Sequence, residues 1–518
     1  MQVAILVSVL LFAFVGARIA DSLHRILSPD LVAVAFSDGG DDAYYYFTVA
    51  RNIGHGAGAT VDGEHWTTGF QPLWQFITGA AFMGSDRVAL AIIYVLSFAC
   101  WLVGLALFVR FIARASTTPL TPLTTALLAV LFLCDTQLNL NYLNGLETGL
   151  YLTLCLGLLL VFQAHIASAP ALAKPARLVG IGVLAAITML TRNDAVFLSA
   201  GLLAVTFLPG ARPRPFREAL VIVATASVLI VPWLVYCQIL WGYPMPQTGV
   251  ATSASILGAN PWSHTLRTSA IALVPTYFLK VRATLDDLPV AVLLATCLAV
   301  AVILGYWRLR DHKAAIDRSS RTVLIGLAAA AVMMFLYYAF VSNAGQFFAR
   351  YFTPIKLLVL ILLALFAIRG IDRLRSQWPA KAVITAFAIA AVGSNLYWIW
   401  RDFYLPYRSY MGQEAYDIAR LPYGQGSARI GTPESGRLGF LYPDLVVNMD
   451  GKMRIDALRA MQTRTLDKFI ARADLDYIFL TDFYVEFFDK MSPAWRDNFK
   501  RVDRMGVFNV FANTSKAR

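Results

Sequence analysis

The chain has 518 residues, of which 58% are hydrophobic and only 15% are charged, whereas soluble proteins carry about 25% charged residues. This composition excludes an ordinary soluble protein, and apolar runs long enough to span a bilayer recur along roughly the first four fifths of the sequence. The net charge of +12 does not indicate nucleic-acid binding, because the basic residues occupy short links between apolar runs, a distribution typical of membrane orientation.

The apolar runs predict an α-helical polytopic membrane protein with about eleven membrane helices. Their ranges are 1–20, 88–109, 119–134, 148–166, 178–190, 195–209, 218–240, 288–307, 322–341, 353–368 and 382–400. The first run lacks a basic n-region, so we expect a retained helix rather than a removed signal peptide. Links rich in Lys and Arg alternate with poorer links. The positive-inside rule therefore predicts a cytoplasmic N-terminus and an extracytoplasmic location for residues 37–74 and for the C-terminal tail.

A polar loop, residues 37–74, follows the first predicted helix and contains an acidic cluster. Asp38, Asp41 and Asp42 lie within five positions of one another. Carboxylates at the edge of a membrane are costly unless they are solvated or paired, so this cluster predicts a reaction site. A solvated acidic loop with an N-cap is the alternative. Asp38 and Asp42 could also hold a divalent cation.

Two further sites are predicted on the external side. Glu147 begins the fourth predicted helix as a second acidic group, unless it only complements the helix dipole. The fifth and sixth predicted helices have about fourteen residues each and reach only about 20 Å, against a hydrocarbon core of about 30 Å. Arg192 and Asp194 at their junction are therefore expected in a water-filled recess on a substrate path. An Arg192–Asp194 pair that only closes the hairpin is the alternative.

The composition changes after Trp400, because residues 402–518 contain no spanning run. Short apolar strands alternate there with helical periodicity, which predicts a small extracytoplasmic α/β domain. The chain is thus expected to divide into a membrane domain, residues 1–401, and a C-terminal domain, residues 402–518. Two polar turns, 432–437 and 448–451, could line an acceptor path. A domain that only stabilises the external loops is the alternative.

An enzyme on the external side generally lacks nucleotide sugars and needs a donor delivered by the membrane, such as a polyprenyl-phosphate sugar. Transfer from this donor requires a carboxylate that takes the acceptor proton and cations that bind the phosphate leaving group. The chain offers Asp41 and Asp42 as bases. It offers Arg192, Arg350 and Lys356 as cations at external helix ends. Transporters also use buried ion pairs, so a transporter or lipid-glycan flippase is the alternative function.

Four patches of the sequence resemble recurring blocks of bacterial GT-C-fold glycosyltransferases, to which the aminoarabinose and protein O-mannosyl transferases are distantly related. The patches are 41–53, 144–148, 190–195 and 350–354. The resemblance covers the whole chain in architecture but only these patches in motif. It implies a GT-C-like fold in the bacterial inner membrane. It also implies inverting transfer from a polyprenyl-phosphate sugar to a cell-envelope glycan, lipid or protein acceptor.

The resemblance further implies roles for individual residues. The catalytic carboxylate should be the first Asp of the acidic run, Asp41, with Asp42 as the second candidate. Together with His65 and Lys356, which lie outside the four patches and are candidates by their chemistry alone, the expected substrate-binding residues are Tyr45, Glu147, Arg192, Asp194, Arg350 and Tyr351. An aromatic belt at the membrane interface is the alternative for Tyr45. The sequence departs from the group at Ala57 and Gln71, where the group often has histidine. A metal or acceptor role for those two positions is therefore not carried over. His55 and His65 are candidate substitutes, and two solvated loop histidines are the alternative.

Overall fold

The computed structural model describes residues 2–27, 40–168, 173–253, 256, 262–277, 316–342, 349–373, 378–404 and 428–516. The helices are α1 (Gln2–Ile26), α2 (Asp41–Gly54), α3 (Pro72–Ala81), α4 (Asp86–Ala115), α5 (Pro122–Leu133), α6 (Thr136–Leu143), α7 (Thr148–Ala167), α8 (Pro175–Thr191), α9 (Ala195–Ala204), α10 (Pro215–Trp241), α11 (Gln247–Ala251), α12 (Trp262–Leu273), α13 (Arg318–Leu336), α14 (Thr353–Arg373), α15 (Trp378–Tyr404), α16 (Gly436–Leu441), α17 (Ile455–Gln462), α18 (Leu466–Arg472) and α19 (Asp482–Met491). The strands are β1 (Ile430–Thr432), β2 (Val446–Asn448), β3 (Tyr477–Leu480), β4 (Phe499–Met505) and β5 (Phe508–Asn513).

The predicted helical membrane class is confirmed. Seven of the described helices are long and apolar enough to cross a membrane, or eight if the bent pair α5–α6 is one span. Two shorter apolar helices, Pro175–Thr191 and Ala195–Phe207, accompany them. Every predicted apolar segment coincides with a helix except 288–307, which lies outside the described residues. The number of spans therefore stays a prediction.

The bend of 64° between α5 and α6 is organised by one buried carboxylate, Asp135. Its Oδ1 accepts the backbone N–H of Leu138 and so caps the start of α6. Lys356 of α14 places its Nζ 2.7 Å from the same oxygen, and neither side chain is exposed. The other oxygen of Asp135 accepts the backbone N–H of Thr276. This network ties the broken span to α14 and to the end of the segment that contains α12.

The segment predicted as an external loop contains a regular helix, α2. Its apolar face, which includes Ala43, Tyr44 and Phe47, is buried. The rings of Tyr44 and Phe47 pack edge-on against one another and against Phe440 of α16. The burial of this face explains why α2 is stable outside the membrane bundle, since most helical stability in proteins comes from packing of an apolar face.

The five strands of the C-terminal region form one sheet of order β2-β1-β3-β5-β4. β1 pairs in parallel with β2 and β3, whereas β5 is antiparallel to β3 and β4. The carboxyl ends of β1, β2 and β3 therefore share one edge, where ligands commonly bind in open α/β sheets. This edge packs against α2. A methyl group on Gly436 would overlap the backbone oxygen of Asp41, so the contact is between backbones.

Candidate active site

A cavity lies where α2, one end of the helix bundle and the C-terminal region meet. Its lining includes six of the residues that the sequence singled out: Asp42, Tyr45, Glu147, Arg192, Arg350 and Tyr351. Lys452, which follows β2, closes the cavity from the C-terminal region. Asp42 and Arg350 are in contact although 308 positions separate them in the sequence. Stretches that are far apart in the sequence thus contribute to one site.

Asp42 and Arg350 form the ion pair at the centre of the cavity. Arg350 Nη2 donates a hydrogen bond of 2.5 Å to Asp42 Oδ2, and both side chains stay partly accessible, at 25% and 31%. Burial raises the pKa of Asp42, but Arg350 and then Lys452 outweigh it, so the pKa lies below its ordinary value. Asp42 is therefore an ionised carboxylate and a weak base.

Asp41 has different surroundings because it begins α2 one residue earlier. Its Oδ2 accepts the backbone N–H of Gly436 at 3.1 Å, and its Oδ1 accepts that of Arg437 at 2.9 Å. Burial raises the pKa of Asp41 above its ordinary value, and the nearby guanidinium of Arg437 offsets this only in part. Asp41 thus faces the start of α16, and it lies next to the cavity without lining it. A carboxylate has about four lone-pair sites, so two remain for a further donor.

Arg192 forms a second charged cluster at the junction of α8 and α9. Its Nη1 lies 2.7 Å from Glu147 Oε1, and its Nη2 lies 2.8 Å from Asp194 Oδ2. The rings of Tyr151 and Tyr351 lie 5.6 and 5.4 Å from the guanidinium carbon, within the range of cation–π attraction. Arg192 lines the cavity while Asp194 holds it from behind. The predicted pair therefore forms, and Glu147 joins it.

Glu147 has one oxygen without a partner among the described residues. Its Oε1 binds Arg192, but its Oε2 is buried and accepts no hydrogen bond. The residue is only 4% exposed and lines the cavity. A buried carboxylate oxygen without a donor costs about 1–3 kcal/mol or more, so a ligand hydroxyl at this position would be favourable.

Tyr45 connects α2 to the carboxyl end of β1. Its hydroxyl donates to the backbone oxygen of Pro433 at 2.7 Å and accepts the backbone N–H of Ser435 at 3.2 Å. The neighbouring Tyr46 accepts the N–H of Gln71 with its hydroxyl, which fixes the chain just before α3. These contacts place the predicted turn 432–437 directly beside the cavity.

The C-terminal region contributes charged residues that the sequence analysis does not single out individually. Burial, followed by the nearby charge of Asp41, raises the pKa of Glu434 to about 7. Burial alone would lower the pKa of Lys452, but Tyr484, Asp42 and Asp450 raise it. The sequence predicts the turns 432–437 and 448–451, which carry Glu434 and Asp450, as parts of an acceptor path. Lys452 was missed because a single lysine after a turn resembles any solvated surface residue.

Five of the predicted site residues are not among the described residues that line this cavity. Asp41 is bound to the start of α16, and Asp194 is bound to Arg192. The other three are Lys356, His65 and Asp38. Lys356 is paired with Asp135 inside the bundle. His65 is partly exposed and contacts Asp62 and Arg454. Asp38 lies outside the described residues. The described residues contain no group of three His, Cys, Asp or Glu side chains that could hold a metal ion.

Comparison with known proteins gives matches among solved structures. No family model and no curated protein matches the chain. The oligosaccharyltransferase of Archaeoglobus fulgidus, in complex with zinc and sulfate, is similar over 98% of this chain and 73% of its own, with a TM-score of 0.55 and 12% identity. ArnT from Cupriavidus metallidurans in the apo state is similar over 97% of this chain and 98% of its own, with a TM-score of 0.52 and 12% identity. The GT-C-like fold expected from the sequence patches is therefore confirmed.

Proposed function

We propose that this protein is an integral-membrane glycosyltransferase that moves one sugar from a polyprenyl-phosphate donor to an extracytoplasmic acceptor. The observation that carries the proposal is the cavity at one end of apolar helices, in which Arg192, Arg350 and Lys452 meet the carboxylates of Asp42 and Glu147. A phosphate leaving group needs such cations, and an acceptor hydroxyl needs a carboxylate base. The fold shared with an oligosaccharyltransferase and with ArnT supports this reaction class.

The donor phosphate binds at Arg350. This residue begins the apolar span Arg350–Arg369, so a prenyl chain lying in the bilayer would bring its phosphate to the level of the guanidinium. A planar guanidinium can donate to two phosphate oxygens at once. Lys452 approaches from the C-terminal region and adds a second charge. Arg192 is held by Glu147, Asp194 and Tyr351, and it presents a fixed positive charge to the cavity.

Asp41 is the proposed general base, and Asp42 the residue that positions Arg350. The pKa of Asp41 is raised whereas that of Asp42 is lowered, so Asp41 takes a proton more readily. The acceptor oxygen attacks the anomeric carbon while the bond from this carbon to the phosphate oxygen breaks. The hydroxyl proton passes to Asp41, and the bonding electrons leave with the polyprenyl phosphate. One displacement inverts the anomeric configuration.

The transferred sugar lies between Glu147 and the aromatic side chains of the cavity. The unpartnered oxygen of Glu147 accepts a hydrogen bond from a sugar hydroxyl. The ion pair with Asp194 holds Arg192 beside this sugar. Tyr351 is stacked on Tyr338 with an angle of 12° between the rings, so it offers a rigid wall. The acceptor, a glycan, lipid or protein of the cell envelope, enters past the turns that carry Glu434 and Asp450.

The protein works in the bacterial inner membrane. Its N-terminus is cytoplasmic, and the membrane domain, residues 1–401, presents the cavity to the outside. The C-terminal domain, residues 402–518, covers the cavity from the extracytoplasmic side. This orientation follows from the distribution of Lys and Arg in the links.

The direct test is transfer in vitro with purified protein in liposomes. A labelled decaprenyl- or undecaprenyl-phosphate sugar should yield labelled acceptor and free polyprenyl phosphate. Activity that depended only on a nucleotide sugar would refute the proposal. Label that crossed the bilayer without a new covalent bond would favour the transporter or flippase alternative. Chelation with EDTA in the same assay tests whether a divalent cation is required. If it is, EDTA should abolish transfer, and added Mg²⁺ or Mn²⁺ should restore it.

A further inference from the structure

A second cleft lies at the other end of the membrane bundle. It is bounded by α4 and α8, which both pack against α7. α7 begins next to Glu147 in the candidate active site and reaches the cleft at Ala164, about 25 Å further along its axis at 1.5 Å per residue. The two sites therefore lie near opposite surfaces of the bundle. On the proposed orientation, the cleft opens into the cytoplasmic leaflet.

One face of α7 forms an apolar floor for this cleft. Gly157, Leu160, Val161 and Ala164 follow the spacing that places residues on one side of a helix. A methyl group on Gly157 would meet no atom within 4 Å, so the floor is open at this point. The cleft encloses about 410 Å³, which lies within the range of about 300–1,000 Å³ typical of ligand sites.

Three arginines line one end of the cleft. Arg110 and Arg114 lie one turn apart on α4, and Arg177 lies near the start of α8. Within the described part of the chain, none of the three guanidinium groups forms an ion pair or hydrogen bond. The neighbouring carboxylate of Glu218 is already bound by both arms of Arg212. Like charges one helical turn apart repel, so an anion at this end would relieve the repulsion.

We propose that this cleft binds an anionic phospholipid of the cytoplasmic leaflet. The phosphate is held by Arg110, Arg114 and Arg177, and an acyl chain lies along the floor formed by α7. Basic pockets between membrane helices recognise anionic head groups in this way. The apolar floor favours a lipid over a free anion, because a free phosphate would leave it uncovered. Since the cleft and the candidate active site share no lining residue, the proposal does not depend on the transfer reaction.

Native mass spectrometry of the full-length protein, purified in detergent and titrated with cardiolipin or phosphatidylglycerol, tests this site. One anionic lipid should bind more tightly than phosphatidylcholine. Arg110→Gln, Arg114→Gln and Arg177→Gln should each weaken binding about fivefold, as expected for about one unit charge near an anionic head group. Lys381→Gln removes an exposed basic residue on the same predicted side and should leave binding unchanged.

Gly157→Leu separates a lipid site from a simple anion site. It fills the floor and keeps all three arginines, so lipid binding should be lost while the thermal stability of the protein is retained. Unchanged lipid binding in Gly157→Leu, together with displacement by inorganic phosphate, would overturn the proposal in favour of a free anion. Equal binding of phosphatidylcholine, or preferential retention of undecaprenyl phosphate, would also overturn it.

Discussion

Asp41 and Asp42 are adjacent in the sequence but point to different parts of the molecule. Successive residues of an α-helix lie about 100° apart around its axis, so the first turn of α2 presents one carboxylate to the start of α16 and the other to the cavity. The sequence predicted the acidic pair as a site because carboxylates beside a membrane are costly. The sequence could not predict that the two carboxylates face different surroundings, because their partners, Gly436 and Arg350, are distant in sequence.

Substitution of each aspartate should separate the two roles. Asp41→Asn should lower kcat by about a hundredfold to ten-thousandfold, as for loss of a general base. Asp42→Asn should mainly raise the KM for the lipid donor, because Arg350 loses its partner. Steady-state kinetics with expression and melting temperature as controls would measure both. Wild-type turnover in Asp41→Asn with an inactive Asp42→Asn would assign the base to Asp42 instead.

Arg350→Lys should weaken use of the donor although it keeps the charge. A lysine ammonium lacks the planar fork that can bind a carboxylate and a phosphate together. We expect a higher KM for the polyprenyl-phosphate sugar and an unchanged KM for the acceptor. A matched Arg51→Lys variant changes an arginine of the same helix as Asp42 that lies outside the cavity lining. If Arg350→Lys behaved like that control, phosphate recognition would have to be assigned elsewhere.

Glu434 should make the stability of the protein depend on pH. The folded state raises its pKa from 4.5 to about 7, so between these values the folded protein binds more protons than the unfolded one. The contribution of this residue to stability therefore falls as pH rises through that window. Glu434→Gln should remove this slope and raise the melting temperature relative to wild type above pH 7. If the melting temperatures of the two proteins changed with pH in the same way between pH 4.5 and 7, the assignment would be contradicted.

At the level of elements, hydropathy located the long helices well because a bilayer imposes about twenty consecutive apolar residues. It did not locate the bend between α5 and α6 at Asp135, because an Asp at the end of an apolar run is typical of the edge of a membrane span. It also treated residues 37–74 as a loop. The helix α2 is buried against Phe440, a contact 393 positions from Phe47 along the chain, and no local pattern indicates such packing.

Lys356, predicted as a substrate-binding cation, is paired with Asp135 inside the bundle. Lys356→Met should destabilise the protein by about 3–5 kcal/mol, because it leaves the Asp135 carboxylate buried and unpaired. Asp135→Asn combined with Lys356→Met should recover part of this loss. Chemical denaturation with a fluorescence readout would measure the series. A stable Lys356→Met protein that failed to bind the donor would restore Lys356 to the substrate site.

At the level of the whole molecule, the site is assembled from the membrane bundle and the C-terminal sheet. Asp41 and Tyr45 of α2 bind backbone groups in the turn after β1. Lys452, from the turn after β2, completes the cavity. The alternation of strands and helices predicted the α/β character of this region. The polar turns 432–437 and 448–451 indicated an acceptor path, but they did not indicate that this edge of the sheet packs against α2.

Two glycines of α16 test whether this docking is required. Gly436→Ala places a methyl group against the backbone oxygen of Asp41, whereas Gly439→Ala meets no atom within 4 Å. Gly436→Ala should therefore loosen the C-terminal region, increase its proteolytic release and lower acceptor transfer, while Gly439→Ala should match wild type. Limited proteolysis and the transfer assay provide the readouts. Equal behaviour of the two variants would show that transfer does not need this contact.

The central claim is that one cavity binds the phosphate of a lipid-linked sugar beside the acidic pair. An electron cryomicroscopy structure of the Asp41→Asn variant with a bound polyprenyl-phosphate sugar tests it most directly. The account predicts phosphate oxygens within hydrogen-bond distance of Arg350 and Lys452. It also predicts a sugar hydroxyl on Glu147 and the anomeric carbon facing residue 41. A phosphate bound elsewhere, with Arg350 still paired to Asp42 and the cavity empty, would contradict it.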